Sequence, residues 1–266
     1  MIPFGAPRLS GPNWTGLWTL YLKEVQRFFK VQTQTVWAPA VTTLLFLAIF
    51  MVAIGGVRRE VLGVPFSAFL APGLIMMGMA QNSFANSMSS LIIAKVQGTI
   101  VDILTPPLST TEVLVALVAG ALTRAAAVGG AIWLAMWALP GIPVAVERPL
   151  LVLLFGCLGA MLLALLGVLT GIWADKFDHG AAVTNFLVQP LTLLSGTFYA
   201  VERLPGALQA VSFWNPFFYM IDGFRAGFIG ASEAPILRGA AVLFALNLVL
   251  WAAAYALIRA GWKLRA

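Results

Sequence analysis

Charge is scarce in this sequence. Asp, Glu, Lys and Arg make up 10% of its 266 residues, where a soluble domain carries about 25%. With 61% hydrophobic residues, the chain reads as one multi-span membrane bundle, because no polar stretch is long enough to hold a core of its own. His179 and Cys157 are single occurrences of their types. One histidine and one cysteine do not make a zinc site of the usual kind, and Cys157 has no second cysteine to bridge. His179 stands beside Asp175 and Asp178 in a polar turn, on the other side of the membrane from Ser195, which excludes the Ser–His pair of an intramembrane protease. No lysine is followed by Ser or Thr, so the phosphate-binding Walker motif is missing. The expectation is a chain without catalytic residues, metal site or cofactor of its own. Its net charge of +6 comes from Lys and Arg flanking apolar spans, a pattern that excludes a nucleic-acid partner. The first 36 residues lack a basic region followed directly by an apolar core and a cleavage site, so the first span is expected to act as an uncleaved anchor.

The apolar residues fall into long runs. Before any span, residues 14–30 repeat Trp14, Leu17, Trp18, Tyr21, Leu22, Val25, Phe28 and Phe29 at helical spacing, with Thr15, Thr19, Lys23, Gln26, Arg27 and Lys30 on the other side. Tryptophans opposite basic residues describe a helix lying in the membrane interface, and Asn13 is placed to cap it. Six spans follow at roughly 37–56, 67–94, 112–139, 150–173, 181–199 and 235–258, each long enough for about 30 Å of hydrocarbon. The connections at 57–66 and 140–149 are short. Residues 200–234 are apolar but divided by Pro205 and Asn215-Pro216. The pieces 206–214 and 217–230 are too short to span, which favours two re-entrant or interfacial helices over a seventh crossing. For orientation, Arg8, Lys23, Arg27, Lys30, Lys95, Lys176, Arg259, Lys263 and Arg265 form the larger basic set. Arg58, Arg59, Arg148, Arg203, Arg225 and Arg238 form the smaller, which places both termini in the cytoplasm.

Polar residues inside the spans mark places that need an account. Asn82, Asn86 and Ser90 repeat at four residues in the second span, so their stripe faces either protein or a water-filled path. Arg124 lies near the middle of the third span, where a charge is costly unless paired or hydrated. Either it belongs to a functional interior or it is held by backbone carbonyls, and no acid in the adjacent sequence is an obvious partner. Gly167 and Gly171 suit a close helix contact, Pro190 predicts a kink, and Asp222 and Arg225 have the spacing of a local pair.

Residues 95–112 interrupt the spans. Val96, Ile100, Ile103 and Leu104 share one helical face and Lys95, Thr99 and Asp102 another, and Pro106-Pro107 stops the helix. Gln97-Gly98-Thr99-Ile100, Leu104 and Pro106-Pro107 together resemble the cytoplasmic coupling segment of the type-2 ABC exporter permease family. The stretch Leu194-Ser195-Gly196-Thr197-Phe198, Leu204-Pro205, Trp214-Asn215-Pro216-Phe217-Phe218-Tyr219 and Asp222-Gly223-Phe224-Arg225 is similar to that family's short extracellular helices before the last span. The likeness covers nearly the whole chain.

What the resemblance implies is an all-α membrane protein. A single transmembrane permease domain over 1–266 would hold an interfacial helix (1–36), a six-span bundle (37–258) and a cytoplasmic tail (259–266). It would sit in a bacterial inner membrane as the subunit of an ATP-driven exporter, working as a homodimer with two ATP-binding subunits that carry ATP and Mg. Lys23, Arg27, Gln97, Gly98, Thr99, Ile100, Asp102, Leu104 and Pro106 would meet the ATPase, the apolar face filling a cleft on it. The family's acidic residue before the glycine is Gln97 here, which removes one salt bridge. Asn82, Asn86, Ser90 and Arg124 would line the path. Phe198, Pro205, Asn215, Pro216, Tyr219, Asp222 and Arg225 would form the external gate. An amphipathic, lipid-like, glycan or drug substrate is expected. A non-transporting scaffold remains the alternative, as does an ion-coupled carrier, although the spans lack the buried acids and repeats that such carriers use.

Overall fold

The computed structural model describes residues 11–53, 60–139 and 142–264. Arg8, Arg58, Arg59 and Arg265, used above for orientation, lie outside them, as do residues 54–56 of the first expected span. Helix α1 (Trp14–Phe29) is capped by Asn13, whose side chain accepts the Gly16 N–H at 2.9 Å. A π-turn (Thr33–Trp37) leads into α2 (Ala38–Ala53). Strands β1 (Glu60–Val61) and β2 (Val64–Pro65) pair antiparallel, Val61 opposite Val64, where a plain loop is expected from the sequence. Then come α3 (Phe66–Val96), the short α4 (Ile100–Leu104), α5 (Thr110–Trp137) and α6 (Pro149–Trp173). A broken helix follows, made of α7 (Phe177–Val183), a second π-turn (Thr184–Val188) and α8 (Gln189–Leu193). Helices α9 (Gly206–Trp214), α10 (Pro216–Ile229) and α11 (Ile236–Ala260) complete the chain.

Both π-turns come just before a proline. In each, the residue preceding the proline donates its N–H five residues back, Ala38 to Thr33 and Gln189 to Thr184. Pro39 and Pro190 cannot donate, and their rings crowd the turn before them. Widening that turn by one residue relieves the clash without ending the helix. The kink expected at Pro190 therefore takes the form of a π-turn upstream of it.

Helices α3 and α6 form the centre of the bundle and make its most extensive contact. Gly167 and Gly171 let α6 approach α3 closely, since a Cβ at Gly171 would lie 2.9 Å from Leu91 Cβ. The outer helices are α2, which leaves Val41, Leu45, Ile49 and Val52 exposed, and α11, which leaves Leu237, Phe244 and Leu248 exposed. Such apolar stripes are suited to lipid. Exposed tryptophans mark both ends, Trp14, Trp18, Trp173 and Trp262 near α4, Trp137 and Trp214 at the opposite end, as interfacial belts do.

Four helices among the described residues are long and apolar enough to cross a membrane: Thr33–Ala53, Thr110–Trp137, Pro149–Trp173 and Ile236–Ala260. Helix α3 has the length, at 31 residues, but its run of Gln81, Asn82, Ser83, Asn86, Ser87, Ser89 and Ser90 lowers its apolarity. The fifth expected span stops at Leu193 rather than 199.

Two short helices replace a seventh crossing over 206–229. Asn215 ends α9 and starts α10, its side chain accepting the Phe217 N–H at 3.0 Å while Pro216 takes the first helical position. Helix α10 is almost wholly buried, packed on α6 and α3.

Candidate functional site

The segment after α3 is shaped by Gly98. Its φ of +73° turns the chain where a side chain would be strained, and a Cβ there would meet nothing within 4 Å. On the far side of that turn, Ile100 and Ile103 are buried in this protein's own core with Leu20, Leu91 and Val113. This corrects the expectation that the apolar face is free to fill a partner's cleft. The surface that α4 and its flanks offer is instead Val96, Gln97, Gly98, Thr99, Val101, Asp102, Thr105, Pro106 and Pro107, with Leu104 half-buried. The reason is helix length: five residues make little more than one turn, too short to fold unless one face is covered.

This segment is fastened at both ends. Lys95 Nζ donates to the Ile172 carbonyl at 2.9 Å and also to that of Ala174, meeting the carbonyl end of α6. Asp175 beside it accepts Lys263 Nζ at 2.9 Å, and that hydrogen bond holds its carboxyl below the usual carboxylate value. The Asp175 N–H donates to His179 Nδ1 at 3.3 Å, so the single histidine belongs to this turn. At the other end, Ser109 and Glu112 form a capping box that starts α5, and Glu112 Oε1 also accepts the Asn13 N–H at 2.5 Å. The first residues of α1 and the start of α5 are thereby one unit.

A polar cluster joins α1, α3 and α5 further along. Glu24 is fully buried; its Oε1 accepts Ser90 Oγ at 2.7 Å and its Oε2 accepts Arg27 Nη2 at 3.1 Å. Arg27 also donates to Ser89 Oγ at 3.0 Å, to the Asn86 carbonyl at 2.8 Å and to Asn86 Oδ1 at 3.1 Å. Gly120 on α5 makes room for this, since a Cβ there would lie 2.7 Å from Glu24 Cβ. One step along α3, Arg124 Nη2 donates to Asn82 Oδ1 at 2.8 Å, and Asn82 Nδ2 donates to the Gly78 carbonyl at 3.0 Å.

Arg27 is thus half-buried and directs its hydrogen bonds into this cluster, whereas Lys23 keeps its side chain 49% exposed. Asn86 and Ser90 meet charged partners on α1, Arg27 and Glu24, while Asn82 and Arg124 bond to each other across α3 and α5. Glu24 and Ser89 were not singled out in the sequence. A signal for Glu24 is there nonetheless: it is the sole acid before Glu60 and stands four residues from both Leu20 and Phe28. On the other side of α3, Gln81, Asn82, Phe84 and Ala85 line a cavity of about 230 Å³ with Thr184, Val188 and Gln189. The π-turn thus forms one of its walls.

The opposite end carries a second buried cluster. Arg225 lies 3.7 Å over the Phe69 ring and donates to the carbonyls of Phe69 (3.1 Å) and Gly196 (2.8 Å). Its ion pair is with Glu233 at 3.8 Å. Asp222 accepts the backbone N–H groups of Glu233 (2.9 Å) and Ala234 (3.0 Å). The local Asp222–Arg225 pair is replaced by contacts to the 233–234 turn, which folds back over α10 and is invisible to spacing along one helix. Asn215 Nδ2 donates to the Leu191 carbonyl at 2.6 Å and Tyr219 Oη to that of Phe213 at 3.0 Å. Phe198 stacks on Phe50, with ring centroids 4.6 Å apart, and Pro205 caps α9. All seven residues expected at the gate therefore lie in or beside this cap.

The architecture is that of an all-α membrane protein, with a fastened surface segment at one end and a buried cluster at the other. The chain belongs to the ABC-2 type transporter family, whose match covers residues 15–229. It is similar to the inner membrane transport permease YadH of Escherichia coli K12, at 35% identity over 95% of this chain and 98% of YadH. Nodulation protein J of Rhizobium leguminosarum bv. viciae is 25% identical over 94% of this chain and 95% of that protein.

Proposed function

We propose that this chain is the membrane subunit of an ATP-driven exporter of the inner membrane, working as a homodimer with two copies of a separate ATP-binding subunit that holds ATP and Mg. In this reading α3 and the broken helix α7–α8 also cross the bilayer, making six crossings with both termini cytoplasmic. The observation that carries the reading is the exposed surface around Gly98, fastened to α6 through Lys95 and to α1 through Glu112 and Asn13.

A push on that surface would move α4, the start of α5 and α1 together. Glu24 and Arg27 would pass the motion to α3 through Ser89, Ser90 and Asn86, and α3 lines the cavity with the π-turned helix. Nucleotide binding and hydrolysis in the partner would thereby alternate two arrangements of the bundle. Asn82, Asn86, Ser90 and Arg124 would face the path, and an amphipathic substrate suits its mixed polar and apolar walls.

The test is affinity purification in mild detergent with mass spectrometry of bound proteins. Wild type and Gly98→Asn, which tolerates the left-handed backbone, are expected to bring down an equimolar partner with a Walker motif. Gly98→Trp, which fills the docking surface, is expected to lose it. Recovery without an ATPase, under conditions that preserve a control ABC complex, would favour a scaffold or ion-coupled carrier.

A further inference from the structure

The α1–α3–α5 cluster holds more positive than negative charge. Lys23, Arg27 and Arg124 lie in or beside it, and Glu24 is its one carboxylate. The other nine acids are engaged elsewhere or sit in loops and turns: Glu60 in β1, Asp102 exposed on α4, and Glu112 in the α5 cap. Glu147 lies in the turn before α6, Asp175 lies between α6 and α7, Asp178 lies in the first turn of α7, and Glu202, Asp222 and Glu233 lie at the opposite end. Glu24 serves Lys23 and Arg27, so Arg124 has no anionic partner among the described residues. Its one hydrogen bond there is to Asn82, and its Nε is buried without a partner. A guanidinium held within a membrane span in this way is costly unless it is paired or hydrated.

We infer that an anion from outside the chain completes this cluster, namely the phosphate headgroup of an amphiphile seated between α1 and α5 at Arg124 and Asn82. Guanidinium groups match phosphate oxygens with paired, charge-assisted hydrogen bonds. Two of them, with Lys23 at the rim, form a graded positive approach from the surface. The exposed Trp14 and Trp18 on α1 lie toward the end from which a headgroup would enter. The Tyr21 and Thr123 hydroxyls, bonded to each other at 3.0 Å across α1 and α5, add polar atoms beside Arg124. The inference deepens the path assigned to Arg124 above and rests on that assignment only for the fate of the ligand, not for its binding. The headgroup has two sources with one chemistry, a resident bilayer phospholipid or the transported molecule itself.

The test uses the full-length chain in neutral detergent, with fluorescent short-chain phosphatidylglycerol as probe and the matching short-chain diacylglycerol, which lacks the phosphate, as control. Phosphatidylglycerol is expected to bind more tightly than diacylglycerol. Arg124→Gln is expected to weaken it about tenfold or more, the loss of a charge-assisted contact. Arg124→Lys, which keeps the charge but loses the paired fork, is expected to fall between wild type and Arg124→Gln, and Lys23→Gln at the rim to weaken it by about twofold to threefold at low salt. Diacylglycerol binding should not change in any variant, which a purely structural role for Arg124 would not produce. Native mass spectrometry of the chain taken from its membrane separates the sources. An adduct with a phospholipid mass marks the resident lipid, and another phosphate-bearing mass that phosphatidylglycerol displaces marks the cargo.

Equal binding of the two lipids to wild type, or an unchanged preference in Arg124→Gln, overturns the inference. Should Arg124→Gln fail to fold, Arg124→Lys decides: weaker phosphatidylglycerol binding with diacylglycerol binding unchanged supports the inference, and wild-type affinity overturns it. Loss of the ATPase from the purification would sink the exporter reading and leave these lipid measurements standing.

Discussion

The two buried charge clusters of this protein are built from opposite materials. At the cap, two acids meet one arginine, and the contacts run to backbone: the Phe69 and Gly196 carbonyls for Arg225, the Glu233 and Ala234 N–H groups for Asp222. At the α1–α3–α5 junction, three cations meet one acid, and most contacts run between side chains: Ser89, Ser90, Asn86 and Asn82. Backbone partners belong to the fold and move only with it, so the cap is locked by its own chain. Side-chain partners rotate, and a charge held by hydroxyls and amides can exchange one for its neighbour along α3. The cap is a fixed lid, and the junction is where motion can be passed on.

The sharpest way to break this comparison is at the cap. Arg225→Gln leaves the buried carboxylate of Glu233 and the carbonyls of Phe69 and Gly196 without their partner, and a loss of about 3–5 kcal/mol is expected. It should appear as a lower unfolding temperature in detergent. Hydrogen exchange should rise in α10, at 195–197 and at 233–234, with α1 little affected. A wild-type unfolding temperature for this variant would mean that the cap is not locked as described.

Glu24→Gln is expected to have the middle effect. It removes the charge that holds Arg27 but leaves an amide that can still accept from Ser90, so a loss of about 1–3 kcal/mol follows. Faster exchange should be confined to α1 and the middle of α3. Exchange rising equally at the cap would show that the two clusters are one cooperative unit.

The smallest effect belongs to an exposed pair that fits neither cluster. Asp175 has a folded pKa lowered chiefly by the Lys263 hydrogen bond. Its contribution is therefore present above the unfolded carboxylate value of about 3.9 and is lost as pH falls through the lower folded value. Unfolding temperatures of wild type and Asp175→Asn should differ slightly at neutral pH, converge in acid, and differ less at high salt. A gap that persists in acid would assign the effect to packing instead of charge.

Much of the fold was legible along the chain. The ends of α1, α5, α6, α9, α10 and α11 fall within a few residues of where apolar runs, Asn13 and Asn215-Pro216 place them, because caps and prolines act on their own helix. The broken helix was half legible. Pro190 announced a disturbance, but the π-turn lies upstream of it, where the missing donor and the ring's bulk are felt.

The candidate site was legible in membership more than in arrangement. Asn82, Asn86, Ser90 and Arg124 could be picked out as polar residues in apolar spans. That Arg27 joins them, that Glu24 holds Arg27 and Ser90, and that Ile100 and Ile103 turn inward could not. Periodicity says that a helix has two faces but not which neighbour will cover each.

What the sequence determined by itself is the class of molecule and its segmentation: a helical membrane bundle, a polar interruption at 95–112, and two short helices before α11. These follow from local propensity, run length and proline. What only the tertiary structure decided is the pairing of charges. Glu24 meets Ser90 across 66 positions, Arg124 meets Asn82 across 42, and Arg225 reaches Phe69 across 156. In a low-dielectric interior a charge takes whatever partner the packing brings within about 3 Å, and packing is a property of the assembled helices.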